Sequence, residues 1–276
     1  MIPRAYITEW RSHAPWTEDA WVEQDLVISR AIVGIFGDAG LRERLAFRGG
    51  TALYKLYVTP AARYSEDIGL VQTRPEPIGD TLDAVRAALD PWLGVPRRVL
   101  KEGRVILLYR FDSEDVPPLR LRLKIETNSR EHFSELGLVR LPFRVESRWF
   151  TGDAEINTFA ANELLATKLR ALYQRKKGRD LFDLWLALEK NLVDPPTLIA
   201  CFERYMKEDG LSVSRAQFEA NLHEKRSAPL FKADIGPLLR PGLAWDFDVA
   251  MDAVLARLVA RLPGDPWKGS VTKATP

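Results

Sequence analysis

The chain has 276 residues, 46% hydrophobic and 28% charged, with a formal net charge of +2. That balance excludes wholesale disorder, and the near-cancelling charge excludes a uniformly basic nucleic-acid coat while permitting a local basic groove. One cysteine, Cys201, excludes a disulfide framework and a cysteine-built zinc site.

No apolar run approaches the ~20 residues of a bilayer span, and no basic-then-apolar leader follows Met1, so no membrane partner and a cytoplasmic location are expected. Residues 18–36 predict an amphipathic helix: Trp21, Val22, Leu26, Ile28, Ile32, Val33 and Phe36 recur at helical spacing, and Gly37 and Gly40 end it. A short apolar piece, 45–47, runs into Arg48-Gly49-Gly50, and 51–57 read as a helical turn or two. Residues 64–71 read as a strand, and 81–93 as a helix stopped by Gly94 and Pro96. Strands follow over 105–111 and 119–127, separated by a turn holding Pro117 and Pro118.

From Thr151 onward the strand signals vanish, and 157–173, 179–189, 195–206, 214–223 and 247–262 carry helical periodicity. Mixed elements followed by helices predict an α+β chain of two lobes. The expected division is an α/β lobe over 1–150, a helical lobe over 151–262 and a flexible tail over 263–276.

The three histidines, His13, His132 and His223, are far apart, without metal-ligand spacing or a nucleophile signature beside them. The first chemical constellation is Phe47-Arg48-Gly49-Gly50-Thr51-Ala52-Leu53. Paired glycines let a backbone approach a ligand closely, and the helix start behind them offers N–H groups to a phosphate; a plain strand-to-helix turn is the alternative. Ser65-Glu66-Asp67-Ile68-Gly69-Leu70 follows. Alternation puts Ser65, Asp67 and position 69 on one strand face, where a carboxylate is placed to hold a divalent cation against phosphates. In Arg120-Leu121-Arg122-Leu123-Lys124-Ile125-Glu126 the odd positions are apolar and the even ones charged. Glu126 is therefore a further candidate metal carboxylate among phosphate-binding cations, unless this is a solvated face.

In the helical half, Lys168 lies three and four residues after Leu165 and Leu164, at the edge of an apolar stripe. Asp180 and Asp183 share a helix face and are placed to orient Lys168 or an arginine, although Asp180 in a first turn also complements the helix dipole. The run Arg175-Lys176-Lys177-Gly178-Arg179 is the densest positive charge and the place to seek a polyanion, or else a solvated helix end.

Together these pieces resemble the AbiEii/AbiGii-type nucleotidyltransferase toxins, a branch of the DNA polymerase beta-like nucleotidyltransferase superfamily. The match also includes Glu23-Gln24-Asp25-Leu26, Arg63-Tyr64, Glu163-Leu164-Leu165-Ala166-Thr167-Lys168-Leu169 and Arg179-Asp180-Leu181-Phe182-Asp183-Leu184, and spans about residues 10–189. The resemblance implies a bilobal, Mg²⁺-dependent enzyme with a nucleotidyltransferase-like mixed sheet and a helical lobe. It implies transfer from an NTP to an RNA acceptor, the 3′ end of tRNA in some members, and a cognate antitoxin. It casts Gly49, Gly50 and Thr51 as the phosphate turn, Asp67 as the first metal carboxylate and Lys168 as the NTP-contacting lysine. Asp180 or Asp183 is then the helical-lobe aspartate, and Ser65 a hydroxyl residue that antitoxins of some relatives phosphorylate.

The family pattern is Asp-x-Asp, and here the second position is Gly69. Gly69 is therefore expected to mark a lost metal carboxylate and an impaired enzyme. A non-catalytic nucleotide- or RNA-binding protein, and a small-molecule nucleotidyltransferase, are the alternatives.

Overall fold

In the computed structural model, which describes residues 2–269, seven strands build one sheet. They are β1 (Leu45–Arg48), β2 (Asp67–Gln72), β3 (Arg97–Lys101), β4 (Arg104–Asp112), β5 (Arg120–Asn128), β6 (Leu138–Glu146) and β7 (Thr151–Phe159). Their spatial order is β3-β4-β5-β2-β1-β7-β6. The pairs β1–β7 and β2–β5 are parallel and the remaining four are antiparallel, so the sheet is mixed.

Alternation decides which face is core. Val105, Leu107, Tyr109 and Phe111 of β4 and Leu123 and Ile125 of β5 are buried, whereas their even-numbered neighbours are half-buried or exposed. Helices α1 (Arg4–Trp10), α2 (Asp19–Gly37) and α3 (Ala39–Arg44) precede β1; α4 (Gly50–Ala52) continues into a π turn, Leu53–Tyr57. Helix α5 (Gly79–Leu93) and α2 pack on the apolar sheet face, with Leu26, Ile28, Ile32 and Phe36 of α2 wholly buried. On the opposite face, residues 129–137 cover the Val71 end of β2, where a His132 ring nitrogen lies 2.9 Å from the Gln72 carbonyl.

The chain separates into two units, Met1–Ala160 with Leu238–Leu243, and Ala161–Pro237 with Ala244–Pro276. The first division therefore falls after Ala160 rather than after 150. Residues 151–159, the first few of which precede the expected helix and the last three of which were its start, form β7 instead. Strand β7 is buried on successive residues from Ile156 to Phe159, so it lacks the alternation that marks a half-buried strand. The returning segment lies beside the Ser65-x-Asp67 motif: Tyr64 N–H donates to Leu238 O (2.8 Å) and Arg240 N–H to Ala62 O (2.9 Å).

The second unit is helical: α6 (Ala161–Gln174), α7 (Gly178–Glu189), α8 (Pro195–Glu208), α9 (Arg215–Arg226), α10 (Pro229–Ala233) and α11 (Phe247–Arg257). Asp194 caps α8 ahead of Pro195, and Ser214 with Gln217 forms a capping box at α9. The core is Leu164, Leu165, Leu169, Leu181, Phe182, Phe202 and Phe218. Within the expected tail, Pro263 O accepts from Arg215 N–H (2.8 Å) and Trp267 N–H donates to Glu219 (2.7 Å); residues 270–276 lie outside the described residues.

Candidate active site

Strand β1 delivers the chain to Gly49, whose φ of 96° lies in the left-handed region that favours glycine. Gly50 then starts α4. A Cβ on Gly50 would lie 2.6 Å from a guanidinium nitrogen of Arg63 and 3.0 Å from Ser65 Oγ, so a side chain there would push the Arg63 guanidinium aside. Thr51 is buried; its Oγ1 lies 2.9 Å from Ser65 Oγ and donates to Asp67 O at 2.5 Å. The twin-glycine turn and the Ser65-x-Asp67 motif are thus one hydrogen-bonded unit.

Asp67 opens β2, its side chain 43% exposed, while Ile68 and Leu70 turn into the core. Lys124 Nζ on β5 lies 2.9 Å from Asp67 Oδ2 and 2.8 Å from Glu126 Oε2. Arg104 reaches the other Glu126 oxygen at 3.0 Å. Partial burial pushes the Glu126 carboxyl up, but Lys124 and Arg104 outweigh it and hold that group below the usual carboxylate range. Burial likewise opposes the Lys124 charge, and the two carboxylates outweigh it and hold the ammonium above its ordinary value.

Gly69 is explained by its neighbours. It stands opposite Arg48 in the antiparallel β1–β2 ladder, and a Cβ there would lie 2.8 Å from the Arg48 carbonyl oxygen. A side chain at position 69 therefore requires β1 and β2 to shift apart locally. Glu126 is the register partner of Gly69 across the parallel β2–β5 pair and brings a second carboxylate to the same face.

The pair fits a hard divalent cation. Two carboxylates already converge on one positive atom, and oxygen ligands are what Mg²⁺ takes, with substrate phosphates completing its shell. Among the described residues no cluster of three or more His, Cys, Asp or Glu is arranged to hold a metal, so an all-protein cage is not built.

The Glu23-Gln24-Asp25 segment is structural. Gln24 Nε2 donates to Arg122 O (2.7 Å), and Asp25 accepts from Trp10 Nε1 (2.9 Å) and from Lys55 Nζ (2.7 Å), a lysine of the π turn. It ties α2 to β5 and to the segment behind the glycine turn.

In the second unit, α6 and α7 bring together three residues expected from sequence. Lys168 Nζ lies 3.3 Å from Asp180 Oδ1 and 3.0 Å from Asp183 Oδ2, and both carboxylates are fully buried. Arg175 adds a two-pronged pair to Asp180 at 2.7 and 2.9 Å. Burial pushes Asp180 up, but Lys168 and Arg175 outweigh it and keep its carboxyl below the ordinary range.

The basic run is less available than its sequence suggests. Arg175 is committed to Asp180, Lys176 pairs with Glu224 (2.5 Å) and Lys177 with Asp234 (3.5 Å). Sequence reasoning missed Lys225. It is buried and donates to the Leu172 and Tyr173 carbonyls at the end of α6, and burial lowers it to about 8. A cavity of about 380 Å³ between α9 and α11, walled by Leu222, Met251 and Trp267, involves none of the expected site residues.

Residues 30–253 match the family model described as nucleotidyl transferase AbiEii toxin, Type IV TA system. The chain belongs to the AbiEii family. Solved structures with a similar fold include MenT4, a nucleotidyltransferase toxin from Mycobacterium tuberculosis, which is 17% identical with a TM-score of 0.60; the match covers 96% of this chain and 92% of that one. A putative nucleotidyltransferase from H. pylori is 17% identical (TM-score 0.52; 88% and 95% covered), and JHP933 from Helicobacter pylori is 18% identical (TM-score 0.51; 88% and 93% covered). No curated protein matches the chain.

As an AbiEii member, the chain is a toxin-type nucleotidyltransferase. Its family implies an NTP substrate and an antitoxin partner, and generally uses a divalent metal. Among the described residues no helix is long and apolar enough to cross a membrane.

Proposed function

We propose that this AbiEii protein transfers a nucleotidyl group from an NTP to the end of an RNA, a tRNA 3′ end in the sharpest form of the reading, in the cytoplasm. One observation carries the reading. The carboxylates of Asp67 and Glu126 converge on a single cation beside the Gly49-Gly50-Thr51-Ser65 cluster.

Asp67 and Glu126 would hold Mg²⁺, which supplies charge neutralisation on the triphosphate. The Gly49-Gly50 backbone and the Thr51 and Ser65 hydroxyls are assigned to the phosphate oxygens. Lys168 is held by Asp180 and Asp183 within the second unit. The acceptor hydroxyl oxygen forms a bond to the α-phosphorus as the bond to the pyrophosphate oxygen breaks. Pyrophosphate leaves, and the hydroxyl proton passes to Asp67 or to water. Because Glu126 stands beside Gly69, a glycine at 69 is compatible with turnover.

A binding protein without turnover is the second reading, favoured by the Lys124 ammonium lying where a metal is needed. The test incubates total RNA with each labelled NTP and Mg²⁺. Incorporation from one NTP, lowered about a hundredfold or more in Asp67→Asn, supports transfer. NTP binding without incorporation supports the second reading. Equal incorporation by Asp67→Asn sinks the metal-site assignment.

A further inference from the structure

The sheet face that carries Asp67 continues outward across β5, β4 and β3, and the strand register shows what stands on it. One row reads Asp67, Lys124, Leu108, Arg97; the next reads Gly69, Glu126, Ile106, Val99. Flanking rows pair Arg122 with Arg110, and Arg104 with Lys101. The odd-numbered residues of β4 and β5 point the other way, into the core under α2 and α5.

The charge on this face is lopsided. Arg97, Lys101, Arg104, Arg110, Arg122 and Lys124 stand against Asp67, Glu126 and Glu66, which pairs with Arg122 at 3.6 Å, beyond the Arg120–Asp112 pair at 2.9 Å that closes the ladder. Arg97, Lys101 and Arg110 are exposed and make no ion pair among the described residues. Cations held this close repel one another, so a surface that leaves three unneutralised is suited to a ligand carrying the opposite charge. Between them lie Val99, Ile106 and Leu108, half-buried and flat, an apolar floor that a sugar or base can cover. From Asp67 to Arg97 is three strand spacings, about 14 Å at ~4.8 Å each.

We propose that this face is the docking platform for the acceptor RNA: a single strand whose phosphates lie along Arg110, Arg97 and Lys101 and whose end reaches Asp67. The proposal rests on the transfer reading above and says where its second substrate sits. It replaces the run 175–179, whose lysines and Arg175 are already paired, as the site of polyanion binding. Among the described residues no aromatic side chain stands in these rows, so there is no stacking platform for bases. Binding is therefore carried by phosphates, tolerant of sequence and steeply dependent on salt.

The test measures anisotropy of a short fluorescein-labelled single-stranded RNA of mixed sequence against the full chain, without NTP, over a salt series. The variant Arg97→Gln/Lys101→Gln/Arg110→Gln should weaken binding about tenfold or more. At about 0.7 per lost phosphate contact, it should also flatten the slope of log K on log salt by about 2. A control, Lys190→Gln/Lys207→Gln, alters exposed lysines of the second unit and should bind as the parent does.

Binding of a fluorescent NTP should be the same in parent and triple variant. RNA affinity and slope unchanged in the triple variant overturn the platform, as does an equal loss in the control. Loss of NTP binding in the triple variant also overturns it, by assigning the cations to the triphosphate. Competition by polyglutamate as strong as by RNA reassigns the face to an acidic protein. Because no arm measures transfer, a failed transfer assay leaves this result standing on its own.

Discussion

Glu126 stands beside Gly69 as its partner in the parallel β2–β5 ladder, so a second acid joins Asp67 on this face from the neighbouring strand, level with the glycine of β2. The glycine is held there by β1: any Cβ at 69 meets the Arg48 carbonyl oxygen at 2.8 Å. Gly69→Ala and Gly69→Asp should each destabilise the first unit by about 1–3 kcal/mol, the usual cost of forcing a side chain into a packed backbone. Glu126→Gln should lower nucleotide incorporation as Asp67→Asn does. Urea midpoints matching the parent for both Gly69 variants would show that the strands part freely and return position 69 to the list of lost carboxylates.

The lysine between the two carboxylates makes a second prediction. Lys124 Nζ lies within 3 Å of both Asp67 and Glu126, so a divalent cation bound by that pair must displace an ammonium already there. Lys124→Met removes the competitor and should tighten Mn²⁺ binding about tenfold or more, read from the free-Mn²⁺ electron paramagnetic resonance signal without nucleotide. Adding Asp67→Asn should abolish the gain. Weaker Mn²⁺ binding in Lys124→Met would mean the lysine supports the metal rather than excluding it.

Much of this architecture is legible in the residues themselves. Strands β4 and β5 show a clean period of 2, and the even-numbered charges of β5 foretell the Lys124–Glu126 side of the site. Helix α2, expected as an amphipathic helix, is instead buried on successive residues from Val22 to Ser29. Strand β3 is an exposed edge with basic residues on both faces and lacks a half-buried strand's pattern. Strand β6, by contrast, alternates Val139, Leu141, Phe143 and Val145 with exposed Arg140, Pro142, Arg144 and Glu146, a strand signal that Pro142 interrupts only by removing a donor. The crowding at Gly69 could not be read locally, because the carbonyl oxygen that a side chain would meet belongs to Arg48, 21 positions earlier in number and adjacent only through the β1–β2 register. For the helical half, Lys168, Asp180 and Asp183 were recoverable from spacing alone, whereas the neutralisation of Lys176 and Lys177 depends on Glu224 and Asp234, distant in the chain.

Lys225 gives a pH test. Burial lowers its value to about 8 from an ordinary 10.5, so between those values the unfolded chain binds the extra proton and the folded one does not. Its charged form therefore weighs against folding below about pH 8, and that penalty is relieved as pH rises toward 10.5. Relative to Lys225→Met, the parent should gain on the order of 2 kcal/mol of unfolding free energy across that window. Parallel stability curves for the two proteins would remove the buried lysine from the account.

Asp180 works in the opposite direction. It is fully buried between Lys168 and Arg175, so Asp180→Asn leaves Lys168 with one carboxylate and strips Arg175 of its two-pronged partner. Breaking a buried pair from one side costs about 3–5 kcal/mol, and urea unfolding at neutral pH should show a loss of that order. The parent's advantage has its own pH signature. The folded carboxyl titrates below its ordinary 3.8, so its contribution is fully present above that value and is lost as pH falls through the lower folded one. The difference between parent and Asp180→Asn should hold from neutral pH down to about 4 and shrink in stronger acid. A difference independent of pH would mean that asparagine costs stability by shape alone, and that Lys168 is not held by charge.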